Sequence, residues 1–193
     1  MAADELDDLV MDRFGLHRSD FLAALKTLPA HRPGAAALSN RDADLLDAAG
    51  FTEDHEAYTA IAADVTAHTA RLYRTAYSAA EVRTGLGVSD SRVRQRRLAR
   101  TLWALDDGRT WVYPALQFQA SHGRLKLIRG LEQVLPALLA RDAHPASVAG
   151  FLLAPQPDLR IAGQPTAVLD WLERGEPVEP VVALIEVGDW AAR

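Results

Sequence analysis

Residues Tyr77 to Ala99, YSAAEVRTGLGVSDSRVRQRRLA, hold the densest set of side chains able to do chemistry in this chain. Arginines at 92, 94, 96 and 97 are interleaved with Ser89, Ser91 and Gln95. An arginine fork can donate two hydrogen bonds to guanine or to a phosphate, glutamine can pair with adenine, and short hydroxyls reach phosphate oxygens. The chemistry on offer is recognition of nucleic acid rather than bond-making. Charge points the same way. Residues 71–100 hold eight arginines against Glu81 and Asp90, a balance of +6, while residues 1–70 carry −8 and residues 101–193 carry −3, within a chain of net charge −5. A basic island in an acidic chain is an electrostatic footprint for a polyanion, or a solvated helical face, and charge alone does not separate the two.

Other groupings carry less. Asp64 and His68 stand one helical turn apart and could share a metal, but no third ligand is near, so they read as an exposed helical pair. His55 lies between Asp54 and Glu56 in a first helical turn, and His17, His31, His122 and His144 fall at element ends and loops. The glycines match neither a dinucleotide fingerprint nor a phosphate loop, and no Gly-x-Ser-x-Gly occurs. The chain has no cysteine, which excludes disulfides, thiolate metal sites and cysteine nucleophiles. No catalytic residues, metal or cofactor are expected, and the chain reads as a non-enzyme.

The elements that must position the arginines follow from capping chemistry. Ser78 and Glu81 form a capping box for a short helix over 79–84, which Gly85, Gly87 and Ser89 interrupt. Ser89 or Asp90 caps a second helix to about Arg100. Two short helices joined by Leu-Gly-Val-Ser have the proportions of a helix-turn-helix, with Gly87 in the left-handed turn and Val82, Leu86, Val88 and Val93 between the helices. Arg83 counts against the motif, because a small residue usually occupies that position. Asp107–Gly108 predicts a hairpin between 102–105 and 110–113, with Trp103 and Trp111 paired across the strands and Arg109 at the tip. A hairpin in that place makes the motif a winged one, and Arg109 joins Ser89, Ser91, Arg92, Arg94, Gln95, Arg96 and Arg97 as the expected DNA-binding set.

The flanking segments read as helices. Leu6, Leu9, Val10 and Phe14 predict a helix over Ala2–Phe14, and Ser19 caps a second one through Leu28. A loop over 31–38 precedes a capping box of Ser39 and Asp42, Leu45, Leu46 and Ala49 follow, and Gly50 is the stop. Thr52 caps a long helix to about Arg74 with Tyr58, Ile61, Val65 and Leu72 on one face. After Pro114 the apolar stripe from Leu125 to Leu139 predicts a helix with Pro136 as a kink or restart. Pro145, Pro165 and Pro177 each start a further helix. Trp171 belongs to a core, while Trp190 is either a core plug or an anchor for a partner. The composition, 49% hydrophobic but only 7% aromatic, favours packed helices. The expected fold is mainly α: N-terminal helices (1–75), a central helix-turn-helix with a β-hairpin wing (76–118) and a small C-terminal helical bundle (119–193). No run reaches the roughly 18 apolar residues of a membrane span, and the first residues are acidic where a secretory signal is basic. A soluble, cytoplasmic protein without membrane contact is expected.

One further pattern emerges from residue order. LWALDDGRTWVYPALQF follows the helix pair, and then come Phe151-Leu152-Leu153-x-Pro155, Leu159-x-x-x-Gly163-x-Pro165 and Trp171-Leu172-x-x-Gly175. Over roughly residues 76–190 this order resembles antitoxins with a toxin-binding domain of the Xre/MbcA/ParS type. The resemblance implies a type II antitoxin that covers the active site of a RES-domain, NAD-consuming toxin and represses its own operon. It implies operator DNA and the toxin as partners, in a homodimer or a hetero-oligomer with the toxin. The toxin-binding residues would then be Trp171, Glu173, Arg174, Trp190 and Arg193, the last two forming an aromatic anchor with a cation behind it. An acidic extension of about 75 residues and a helix pair closer to the MerR and excisionase winged type depart from the family pattern. The alternative is a winged helix-turn-helix transcription regulator without a toxin partner.

Overall fold

The structure, a computed structural model, describes residues 2–28, 39, 41, 44–45, 48–50 and 55–187. Among the described residues the fold is mixed but mostly helical, with three small antiparallel sheets. The loop over 31–38, Asp42, Leu46, Thr52, Gly188, Trp190 and Arg193 lie outside the described residues, as does the side chain of Tyr58. Gly50 stands at φ 73°, the left-handed conformation expected of a helix stop.

Helices α1 (Ala2–Phe14), α2 (Arg18–Thr27) and α3 (His55–Arg74) come first. One sequence expectation fails here and another holds in part. His17, not Ser19, is the N-cap of α2, and its extended backbone leaves Ser19 inside the first turn. The buried side of α3 is Thr66, Thr69, Ala70, Leu72 and Tyr73, whereas Ile61 is 63% exposed. Small residues let α2 and α3 approach closely, and each buried threonine satisfies its hydroxyl on the carbonyl one turn back, Ala62 or Val65. Polar side chains that hydrogen-bond their own helix can lie inward, so the buried face keeps Leu72 and the half-buried Val65 of the apolar stripe but is rotated toward the threonines, leaving Ile61 outside.

The central segment runs β1 (Tyr77–Ser78), α4 (Ala79–Leu86), α5 (Asp90–Leu98), β2 (Leu105–Asp106) and β3 (Trp111–Tyr113). The strands form one sheet in the order β1-β3-β2, with Tyr77 opposite Tyr113 and Asp106 opposite Trp111. Gly85 continues α4 rather than breaking it, because the Leu125 side chain needs the space. A Cβ on Gly85 would lie 2.5 Å from Leu125 Cγ. The hairpin is shorter than expected, and Trp103 and Trp111 do not pair. Trp103 is buried outside the ladder, and Trp111 is 38% exposed on β3. The cause lies fourteen residues downstream, where the buried Gln117 side chain takes the place of a strand neighbour for Trp103.

After Pro114, a short 3₁₀ turn (Ala115–Gln117) leads into β4 (Phe118–Ser121) and β5 (Arg124–Leu127), a hairpin where a helix was expected. His122 at φ 48° and Gly123 at φ 75° are both left-handed, as a two-residue hairpin turn of the primed type demands. Helix α6 (Leu131–Leu139) therefore starts late, and Pro136 lies inside it without ending it. Helix α7 (Pro145–Leu153) begins at its proline as expected. A third hairpin follows, β6 (Pro155–Ile161) with β7 (Gln164–Ala167), again turning through two left-handed residues, Ala162 and Gly163. Pro165 thus sits in a strand of a two-stranded sheet, where its missing N–H is tolerated, instead of opening a helix. Helices α8 (Val168–Glu173) and α9 (Glu179–Val187) complete the described chain. Buried side chains from Ala23 to Ile185 form one contiguous cluster, and Val10, Leu16, Ala24 and Ala70 form a small second one.

Candidate nucleic-acid interface

Local chemistry builds the α4–α5 pair as its residues dictate. Ser78 donates its backbone N–H to Glu81 Oε2 at 2.7 Å, and Glu81 N–H donates back to Ser78 Oγ at 3.2 Å, a complete capping box. Ser78 Oγ also donates to Glu81 Oε2 at 2.7 Å, and this bond, with that from the Ser78 backbone N–H, holds the Glu81 carboxyl below its usual range. Gly87 ends α4 at φ 66°, and Ser89 caps α5 by accepting from Arg92 N–H at 3.3 Å. Val82 and Val93 are buried between the helices. Arg83 does not obstruct that packing. Its side chain turns outward to Asp90 at 3.6 Å.

The arginine set divides into two groups. Ser91, Arg92, Arg94 and Gln95 are exposed on the outer side of α5, while Arg96 and Arg97 are half-buried. The Arg97 guanidinium lies 4.1 Å from the centre of the Trp111 ring, a cation–π contact that ties α5 to the hairpin. Arg96 contributes its carbonyl, which accepts from Thr101 N–H at 2.9 Å and Thr101 Oγ1 at 3.2 Å. These bonds end the helix at Leu98, so Arg100 falls beyond it. Arg92 Nη1 donates to Gln95 Oε1 at 2.7 Å. The Gln95 oxygen keeps a second lone pair, so Gln95 held in this way still offers an acceptor beside its two donors and can pair with the donor-plus-acceptor edge of adenine, while the arginines suit guanine.

Arg109 is exposed at the hairpin tip, which its own aspartates hold in place. Asp107 Oδ1 accepts from Arg109 N–H at 2.8 Å and Thr110 N–H at 2.7 Å, and Asp106 Oδ1 accepts from Gly108 N–H at 2.8 Å. Tyr73 Oη donates to Asp106 O at 3.1 Å and anchors the hairpin to α3. Burial raises the Tyr73 phenol's pKa, and the nearby Asp106 and Asp107 charges add to it. Sequence reasoning missed Lys26, whose Nζ stands 3.6 Å from the place a Cβ would take on Gly108. Nothing local signals a contact between residues so far apart in the chain.

The C-terminal set is placed in part. Trp171 is half-buried, and its Nε1–H donates to Pro177 O at 2.8 Å, closing the turn between α8 and α9. Glu173 and Arg174 are exposed beside it at the end of α8. Among the described residues, no three His, Asp or Glu side chains stand together as metal ligands, and no helix is long and apolar enough to cross a membrane.

His144 joins α2 to α7. Its Nδ1 accepts from Ala146 N–H at 3.2 Å, so the ring proton belongs on Nε2, 2.7 Å from Thr27 Oγ1. Thr27 Oγ1 in turn donates to Ala24 O at 2.6 Å. Protonating Nδ1 would set two N–H groups against each other, and burial lowers the ring's pKa below its ordinary 6.5. The folded protein therefore binds this proton less readily than the unfolded chain. Above that value both states are neutral and His144 adds no pH dependence; as pH falls through it, the unfolded chain takes up the proton first and stability drops. Urea midpoints should fall between about pH 7.5 and pH 5.5, and His144→Asn, which keeps a capping side chain, should flatten that fall. An unchanged slope in the variant would assign the dependence to other groups.

No protein-family model matches this chain, and neither a curated protein nor a solved structure shows significant similarity to it.

Proposed function

We propose that residues 77–113 act as a winged helix-turn-helix that binds double-stranded DNA. In this reading α5 enters the major groove, and Arg109 and Lys26 meet the phosphate backbone beside it. The observation that carries the proposal is the exposed row Ser91, Arg92, Arg94 and Gln95 on the outer side of α5. The sheet β1-β3-β2 supports it by holding Arg109 on the hairpin next to that helix. The fuller role we propose is that of an antitoxin, with operator DNA on the central segment and a RES-domain toxin on the C-terminal one. Support for the toxin half is the order of its segments, including the exposed Glu173 and Arg174 beside Trp171.

The test is selection of binding sites from random-sequence duplexes, followed by co-expression with the product of the adjacent reading frame. A discrete motif is expected, with guanine where Arg92 meets a base. Arg92→Ala should relax the preference at that position, a discrimination worth about 1–3 kcal/mol. Restored growth on co-expression supports the antitoxin role. DNA binding without rescue leaves a transcription regulator, and no enriched motif overturns the DNA reading.

A further inference from the structure

A cleft of about 500 Å³ opens where the early, middle and late parts of the chain meet. Thr27 of α2 reaches it from one side, the end of α5 and β3 supply Arg97, Arg100 and Trp111, and the α6–α7 connection supplies Asp142 and His144. Clefts of this size at such junctions are the usual place for small ligands. Leucines at 102, 105 and 139 make part of its lining apolar, and the Arg97–Trp111 stack lies along it. Among the described residues, the Arg100 guanidinium has no hydrogen bond or ion pair. With His144 neutral, two guanidinium groups face one carboxylate, an excess of one positive charge.

Arg100, at φ 55°, is the left-handed cap of α5, its N–H on Arg97 O at 3.0 Å and the Thr101 N–H on Arg96 O at 2.9 Å, a position glycine takes without strain.

We propose that this cleft binds a small organic monoanion with a flat aromatic ring, the ring lying against the Arg97–Trp111 stack and the anionic group on Arg100. An arginine plane stacks on aromatic rings and its N–H groups pair with carboxylates, so the two arginines divide those tasks. A ligand so placed touches both α5 and the hairpin. Its binding does not depend on whether α5 meets DNA.

The test uses the full chain labelled with ¹⁵N and no DNA, with 1-naphthoate as probe and 1-naphthamide as its neutral counterpart. Indole N–H signals of Trp111 and Trp171 are assigned through single Trp→Phe variants. Naphthoate should shift Trp111 saturably and leave Trp171 in place, with naphthamide about 10-fold weaker. Arg100→Gly relieves the left-handed backbone, so the fold is kept, and it should weaken naphthoate about 10-fold without lowering the melting temperature. No saturable shift up to about 10 mM, equal affinity for acid and amide, parallel movement of Trp171, or an unaffected Arg100→Gly would each overturn the proposal.

Discussion

Replacing Gln117 by leucine is expected to destabilise the protein by about 3–5 kcal/mol, the largest loss from a single polar side chain among the described residues. The Gln117 side chain is fully buried. Its Oε1 accepts from Trp103 N–H at 2.9 Å, and its Nε2 donates to Trp103 O at 2.8 Å and Pro114 O at 3.1 Å. Leucine fills a similar volume but leaves Trp103 N–H and O without a partner, and Pro114 O keeps only the long backbone N–H contact from residue 117 at 3.5 Å. Each buried, unsatisfied group costs about 1–3 kcal/mol. The total is a large share of the roughly 5–15 kcal/mol that holds a domain together. Urea unfolding at matched m-values measures the loss, and Gln119→Leu, on the exposed β4 surface, is the control, expected within about 0.5 kcal/mol. A loss below about 1 kcal/mol would mean that water or a backbone shift serves Trp103 instead.

Gln117 also shows what can be read from a sequence and what cannot. The Ser78–Glu81 box, the Ser89 cap, the Gly87 turn and the Asp107–Gly108 hairpin are decided by neighbours within a few residues, and the chain states them openly. The β4–β5 and β6–β7 hairpins were missed because their turns use His-Gly and Ala-Gly, weaker signals than Asn-Gly or Asp-Gly. Leu125, Leu127, Ile128 and Leu131 also suit a helical stripe as well as a strand followed by a helix. Position 103 was misread as a strand residue because its hydrogen-bonding partner is a side chain on another segment. The same limit applies to the candidate interface. The type and order of its arginines were legible, but their division was not, since the exposed Arg92 and Arg94 differ from Arg97 only through the Trp111 ring. Lys26 reaches the hairpin tip from α2, and no pattern within α2 announces it.

That division sets the outcome of the second large substitution. Arg92→Ala with Arg94→Ala is expected to lower affinity for the selected duplex about 100-fold or more, while leaving the melting temperature within a few degrees. Both side chains are exposed, and neither packs in the core, so the loss belongs to binding and not to folding. Each lost contact to a base or phosphate is worth about 1–3 kcal/mol. Any phosphate contacts among them also reduce counterion release, so the plot of log K against log salt should flatten by up to about two units. Arg97→Ala makes the informative contrast. It removes a cation–π contact of about 0.5–2 kcal/mol and loosens the hairpin against α5, so thermal stability should fall along with affinity. If the basic face serves only solubility, the double variant binds duplex as the parent does and its salt slope is unchanged. That result would withdraw DNA binding from α5, since no other exposed row on this helix offers the chemistry to replace it.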